Sequence, residues 1–267
     1  MTEGAPENRL VVRGLSASYG AKPILTDVDV PDLVAGSITV FAGPNGAGKS
    51  TLLRALAGAT PASGEVVYGS RNLLALSERD RAKVVGFVPQ AGPGATRLTV
   101  IDAVIASLRL FAGSLSAGET KRAACATLDR LGILNLALRP LAELSGGQRQ
   151  LAVLAQSLAR QPRVLLLDEP TSALDLRHQF EVMSVVKSIA AEGRIVALVL
   201  HDLSLAARWA DRIVFLKAGR IVTSGPTGDV LRPATLHDVY QVHADVKWVS
   251  DDDPHVTIAD VARPGPD

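Results

Sequence analysis

The chain has 267 residues, enough for one large α/β domain or for a core with a smaller companion. Its 28 basic and 27 acidic residues nearly cancel, which excludes the broad basic field of a protein whose main partner is nucleic acid. The single Cys125 excludes an intramolecular disulfide and any multi-cysteine metal site, and suits a reduced, cytosolic setting.

The N-terminal MTEGAPENRL is polar and holds no apolar signal core. Strands are then expected at Leu10–Arg13, Ser37–Ala42, Glu65–Tyr68 and Val84–Val88. A stretch of different character runs from about Thr99 to Arg160. Its apolar residues recur at helical spacing, as at Ala124, Leu128 and Leu131, and Gly113-Ser114 and Arg139-Pro140 divide it into separate helices. Further strands are expected at Val164–Leu167, Arg194–Leu200, Arg212–Leu216 and Arg220–Thr223. Several are unbroken Val/Ile/Leu runs, the pattern of strands covered on both faces, and helical segments separate many of them. This predicts a parallel α/β sheet with a helical insertion. The longest aliphatic run, Ile195 to Leu200, has six residues, against about 18 for a bilayer span. Work at a membrane would need another chain to supply the membrane part. The end, with Asp251, Asp252, Asp253, Asp260 and several prolines, reads as a loosely held tail.

Gly43 to Ser50 reads GPNGAGKS, a complete G-x-x-x-x-G-K-S phosphate loop. It follows the β-branched run Ser37 to Phe41 and leads into Thr51 to Ala57, a helical pattern, so it has the strand–loop–helix context that its chemistry requires. Gly43, Gly46 and Gly48 let the backbone approach a polyphosphate and aim N–H groups at it, and the helix N-terminus adds positive charge. Lys49 reaches the β- and γ-phosphates, and the Ser50 hydroxyl is a ligand for Mg²⁺. The chain binds a nucleoside triphosphate.

The run Arg163 to Pro170, RVLLLDEP, brings two carboxylates to the C-terminal end of a buried strand, where ligands sit in such sheets. Asp168 is placed to hold Mg²⁺ opposite Ser50, and Glu169 to accept a proton from an attacking water. Gln90 and His201 also end strands. Spacing alone leaves Gln90 between a role toward Mg²⁺ or the water and none, and leaves His201 between structural and catalytic. His178, His237, His243 and His255 show no zinc-ligand spacing. Leu144-Ser145-Gly146-Gly147-Gln148 opens a helix, with Ser145 as cap; the segment is either an anion site or an ordinary capped terminus.

Together, these segments resemble the nucleotide-binding subunit of ATP-binding-cassette (ABC) transporters, from about Leu10 to Val246. Gly43, Pro44, Asn45, Gly46, Ala47, Gly48, Lys49, Ser50 and Thr51 match the family's Walker A loop, and VLLLDEP its Walker B with the catalytic Glu169. Leu144 to Gln148 is its LSGGQ signature. Gln90 matches the Q-loop, Ser172-Ala173-Leu174-Asp175 the D-loop, His201 the switch histidine, and Tyr19 the aromatic that stacks on adenine. The resemblance implies a P-loop NTPase (RecA-like) α/β core with a predominantly parallel sheet, an N-terminal antiparallel β portion and an inserted α-helical subdomain. It implies one ABC ATPase domain over 1–246, with core 8–88 and 162–246 and helices at about 89–161, followed by a tail at 247–267.

The family mechanism implies two copies that sandwich two ATPs with Mg²⁺, held by Ser50, Gln90 and Asp168. Ser145, Gly146 and Gly147 of one copy would contact the γ-phosphate on the other. Glu169, His201 and Gln90 would be the catalytic set. The implied partners are a second copy, an integral membrane permease and, indirectly, a substrate-binding protein, with no nucleic acid; the setting would be the cytoplasmic face of a bacterial membrane. The run LHDLSLAARWADRIVFLK (Leu200 to Lys217), AGRIVTSGPTGDVL after it, and LHDVYQVHADV (Leu236 to Val246) are similar to the ATPases of iron-siderophore, haem and cobalamin importers. One departure is Ala106 to Phe111, ASLRLF, where iron-group importers often carry a Gly-Arg-x-Pro-His-like stretch at the permease-facing region. Zinc, manganese or molybdate importers, exporters, and a soluble ATPase with a non-transport partner are the alternatives. DNA-repair ATPases with long coiled coils fit poorly, because Lys49 and Ser145 are only 96 residues apart, without sustained heptads between them.

Overall fold

The computed structural model describes residues 8–90, 97–111, 115–172, 174–248 and 254–261. Strand β1 (Arg9–Tyr19) pairs antiparallel with β2 (Lys22–Val34) across a tight turn. Strand β3 (Ile38–Ala42) leaves that sheet, runs into the phosphate loop, and is followed by helix α1 (Lys49–Ala57). The chain returns to the first sheet as β4 (Ala62–Tyr68) and the two-residue β5 (Arg71–Asn72), giving the antiparallel order β2-β1-β4-β5. The short helix α2 (Glu78–Arg81) precedes β6 (Val85–Val88).

Helices α3 (Val100–Phe111), α4 (Ala117–Arg130) and α5 (Gly146–Leu158) follow without an intervening strand among the described residues. Then come β7 (Val164–Asp168), α6 (Leu176–Ala191), β8 (Ile195–Val199), α7 (Leu203–Trp209), β9 (Arg212–Lys217) and β10 (Arg220–Pro226). Helices α8 (Thr227–Val230) and α9 (Pro233–Tyr240) lead to a hairpin of β11 (Val242–Trp248) and β12 (Pro254–Val261). The main sheet has the order β10-β9-β3-β8-β7-β6. Its pairings are parallel from β9 to β6, and β10 adds an antiparallel edge.

The unbroken aliphatic runs are the central strands, as expected: every residue of β3, β7 and β8 is buried. Successive side chains alternate between two cores. Val40, Leu165, Leu167, Val196 and Leu198 join the core built with α3 to α7. Phe41, Leu166, Ala197 and Val199 join the one under α1 and the antiparallel sheet. The central strands are thus covered on both sides, while the edge strand β10 is partly exposed along its length.

Two differences from the sequence expectation have physical causes. Strand β2 is absent from the predicted set because Pro23, Pro31 and three aspartates break its pattern. As an edge strand with register shifts it tolerates prolines that a central ladder would not. The segment read as a loose tail is corrected in part, since Pro254–Val261 pairs antiparallel with Val242–Trp248, and Val256 packs on the core. The Gly113-Ser114 break lies outside the described residues. No helix among the described residues is long and apolar enough to cross a membrane.

Gly43 shows how the fold constrains the loop it feeds. Its φ is +145°, and a Cβ there would lie 2.0 Å from the Leu216 carbonyl oxygen of the neighbouring strand end. That oxygen is backbone and cannot swing away. We expect Gly43→Ala to destabilise the protein by about 1–3 kcal/mol in chemical denaturation, as overpacked sites do.

Candidate active site

Four adjacent parallel strands end on one edge of the main sheet, and each delivers part of one cleft. The phosphate loop follows β3, Gln90 lies two residues beyond β6, Glu169 follows β7, and His201 stands two residues past β8. The cleft, of about 450 Å³, is lined by Asn45, Gly46, Ala47, Gly48, Lys49, Ser50, Thr51, Gln90, Glu169 and His201, together with Ile24. The residues that the sequence marked as phosphate loop and catalytic set therefore meet, although up to 156 positions separate Asn45 from His201.

Lys49 opens α1 and is buried. Its ammonium donates to the Gly43 carbonyl at 2.7 Å and the Pro44 carbonyl at 2.9 Å, so the loop's own backbone holds it. Burial pushes its pKa below the usual lysine value, and attraction from Glu169 and Asp168 offsets only part of that.

Glu169 sits at a positive φ of 53°, a strained conformation for a residue with a side chain. Its carboxylate is held at both ends, since Gln90 Nε2 donates to Oε2 and His201 Nε2 contacts Oε1. His201 is the donor in its Nε2–H tautomer. The Glu169 carbonyl accepts from the Ser172 hydroxyl at 2.9 Å, which ties the next turn to the same residue.

Asp168 points the other way and is fully buried. Its Oδ2 pairs with Arg54 Nη2 at 3.3 Å, while Oδ1 is buried with no hydrogen-bond partner among the described residues. A buried carboxylate oxygen without a donor is an unmet electrostatic demand. A cation at that oxygen would answer it, so the carboxylate fits Mg²⁺ chemically, although Asp168 itself does not line the cleft that Ser50 lines. Among the described residues no group of three or more His, Cys, Asp or Glu side chains could hold a metal ion. A cation here would therefore take most of its ligands from phosphate, hydroxyl, amide and water.

The signature is elsewhere. Ser145 caps α5 through a reciprocal pair: its hydroxyl accepts from Gln148 N–H, and Gln148 Oε1 accepts from Ser145 N–H. Leu144 and Gly147 are buried, whereas Ser145 and Gly146 are exposed and do not line the phosphate-loop cleft. A Cβ on Gly147 would lie 2.7 Å from the His178 ring. Asp175 caps α6 by accepting from His178 N–H at 2.9 Å. Ala173 lies outside the described residues. Tyr19, at the tip of the β1–β2 hairpin, is 82% exposed and does not line the cleft.

Residues 26–172 match the family described as ABC transporter. The chain belongs to the ABC transporter family. It is the ATP-binding cassette of that family, an ATP hydrolase. The cassette is 40% identical over 87% of its length to the hemin import ATP-binding protein HmuV of Streptomyces coelicolor, of which the match covers 83%. It is 38% identical over 89% of its length to HmuV of Thermobifida fusca, covering 84% of that protein. It is 34% identical over 90% of its length to the iron(3+)-hydroxamate import ATP-binding protein FhuC of Bacillus subtilis, covering 90% of it. Among solved structures, a metal-chelate type ABC transporter in an inward-facing conformation is similar at a TM-score of 0.79 and 27% identity, with 96% of this chain and 98% of that one covered. A dimeric bacterial ABC transporter cassette is similar at a TM-score of 0.72 and 27% identity, with 82% of this chain and 98% of that one covered.

Arg54 and Ile24 were not legible as site residues. Arg54 lies one turn beyond the motif, and nothing in its spacing shows that it faces a carboxylate more than a hundred positions away. Ile24 belongs to the edge strand that the pattern concealed. Removing the guanidinium would leave Asp168 charged, buried and unpaired. Because Arg54 is 43% exposed, we expect Arg54→Ala to cost about 1–3 kcal/mol by chemical denaturation, and Arg54→Lys to cost less.

Proposed function

We propose that this cassette hydrolyses ATP to energise a separate membrane permease, importing a haem, ferric-siderophore or cobalamin-like substrate at the cytoplasmic face of a bacterial membrane. The observation that carries the ATPase half is the Gln90–Glu169–His201 cluster at the mouth of the phosphate-loop cleft. The relatives named as hemin and iron(3+)-hydroxamate import proteins support the substrate class.

In this reading Lys49 leaves its own loop's carbonyls for the β- and γ-phosphates, and the loop amides donate to the same phosphates. Ser50, Asp168 and Gln90 would hold Mg²⁺, which would neutralise phosphate charge when bound. Tyr19 is free to stack on adenine, being exposed. Gln90 and His201, which contact Glu169, turn toward the phosphate. Glu169 is then released as an ionised acceptor for the proton of an attacking water. His201 stabilises charge developing on the γ-phosphate.

The exposed Ser145 and Gly146 stand outside their own chain's cleft, which supports completion of each site by a second copy. The helix N-terminus that Ser145 caps, with Gly147 behind it, would meet the γ-phosphate bound to that copy, and Ser172, Ala173, Leu174 and Asp175 would run along the same interface. The two-copy sandwich is the switch, closed by ATP and opened by its loss.

Two variants test this. Glu169→Gln should abolish turnover, lowering kcat about a hundredfold or more, while forming an ATP-dependent dimer in gel filtration. Monomeric elution at saturating Mg-ATP would sink the sandwich. Tagged Glu169→Gln protein recovered from detergent-solubilised native membranes should bring a multi-spanning permease with it. A zinc-, manganese- or exporter-type permease would overturn the substrate class, and soluble partners alone would overturn transport. Ser145→Arg should block hydrolysis yet leave ATP affinity of the monomer within about twofold; a large loss of monomer affinity would show the signature acting in cis.

A further inference from the structure

His178 stands in the first turn of α6, and the first turn of α5 rests against it. A Cβ on Gly147 would lie 2.7 Å from both Cγ and Cδ2 of His178 and 3.0 Å from its Cβ, so the imidazole fills the place that a side chain there would need. Gly147 is buried, and α5 approaches this closely because it carries a glycine at this point. The ring is oriented from its own helix. Asp175 Oδ1 accepts from the His178 backbone N–H at 2.9 Å and from Nδ1–H at 2.7 Å, which places a proton on Nδ1. These bonds, the backbone one first, hold the Asp175 carboxyl below the usual carboxylate range.

The neighbouring Gln179 ties the same helix start to the turn after Glu169. Its Nε2 donates to the Thr171 carbonyl at 3.4 Å and the Leu174 carbonyl at 3.2 Å, while Ser172 N–H donates to the Glu169 carbonyl at 3.1 Å. His178 also walls a cleft of about 560 Å³ with Gln148 and Leu151, so truncating it would leave the first turn of α5 unsupported there. Neither His178, Asp175 nor Gly147 lines the phosphate-loop cleft, so the joint serves the chemistry only through where it puts Ser145 and Gly146. We propose that His178 is a positioning residue for the nucleotide held between two copies: its ring, oriented by Asp175, sets where the first turn of α5 presents Ser145 and Gly146 to the phosphates on the other copy. The joint thereby links the turn that carries the acid of one site to the signature that completes the other. The inference rests on the two-copy sandwich.

The test uses the full chain and compares mant-ATP affinity of the dilute monomer with the ATP concentration at which Glu169→Gln protein becomes dimeric in gel filtration. His178→Ala should leave monomer affinity within about twofold and raise the dimerisation midpoint about tenfold, the change that a lost contact of about 1.4 kcal/mol gives. His178→Phe keeps a planar ring against Gly147 and should bring the midpoint back to within about threefold. Gly147→Ala should raise the midpoint by itself, and raise it less in a His178→Ala background, where no ring blocks its methyl group. A lowered Tm with an unchanged midpoint in His178→Ala would show a merely structural side chain and overturn the proposal. So would His178→Phe behaving like His178→Ala, equal costs of Gly147→Ala in both backgrounds, or weakened mant-ATP binding by the His178→Ala monomer. If Glu169→Gln with His178 intact stays monomeric, the sandwich fails and the inference with it; if that protein dimerises and His178→Ala changes nothing, only the role of His178 fails.

Discussion

A buried ammonium must have partners, and Lys49 finds them in the carbonyls of Gly43 and Pro44, two residues of its own loop. That arrangement sets what the loop can do. The charge is desolvated and only partly compensated by Glu169 and Asp168, so it is poised for a polyanion. The carbonyls that hold it are backbone, so the loop must stay in one shape for them to remain in reach. Leu216 supports that shape from below, leaving no room for a side chain on Gly43. The core strands β3 and β9 thus reach the chemistry through backbone contact alone.

The same sheet organises the acidic residues. Asp168 closes β7 and Glu169 follows it with a left-handed backbone conformation, and the two side chains meet different surroundings. Asp168 turns into the protein, where Arg54 takes one oxygen and leaves the other without a donor. Glu169 turns into the cleft, with a strained backbone, between an amide and an imidazole contributed by flanking strands. One carboxylate is enclosed by protein and the other opens onto the cleft. The order β3-β8-β7-β6 makes this possible, because it puts four strand ends side by side on the ligand edge of a parallel sheet.

The helical portion follows different physics. Its apolar residues build their own share of the core, and Leu144 and Gly147 anchor the start of α5 while Ser145 and Gly146 remain in solvent. This capped helix N-terminus does not line the anion cleft of its own chain.

Much of this was legible in the residues themselves. The phosphate loop, the paired carboxylates and the signature are local patterns, since their chemistry needs particular residue types at short spacings. The buried parallel strands were legible too, because a strand covered on both faces must be apolar at every position. Strand β2 and the β11–β12 hairpin were not, being edge structures whose polar and proline-containing sequences satisfy no period. Arg54 and Ile24 carry no local signal, since the groups each one meets lie far away along the chain. Sequence by itself determined which chemistry is present, because that chemistry is encoded in contiguous backbone and side chains. Tertiary structure alone decided what surrounds it: the clamp on Glu169 and the lone oxygen of Asp168 arise from strand order and packing, which no short stretch of sequence contains.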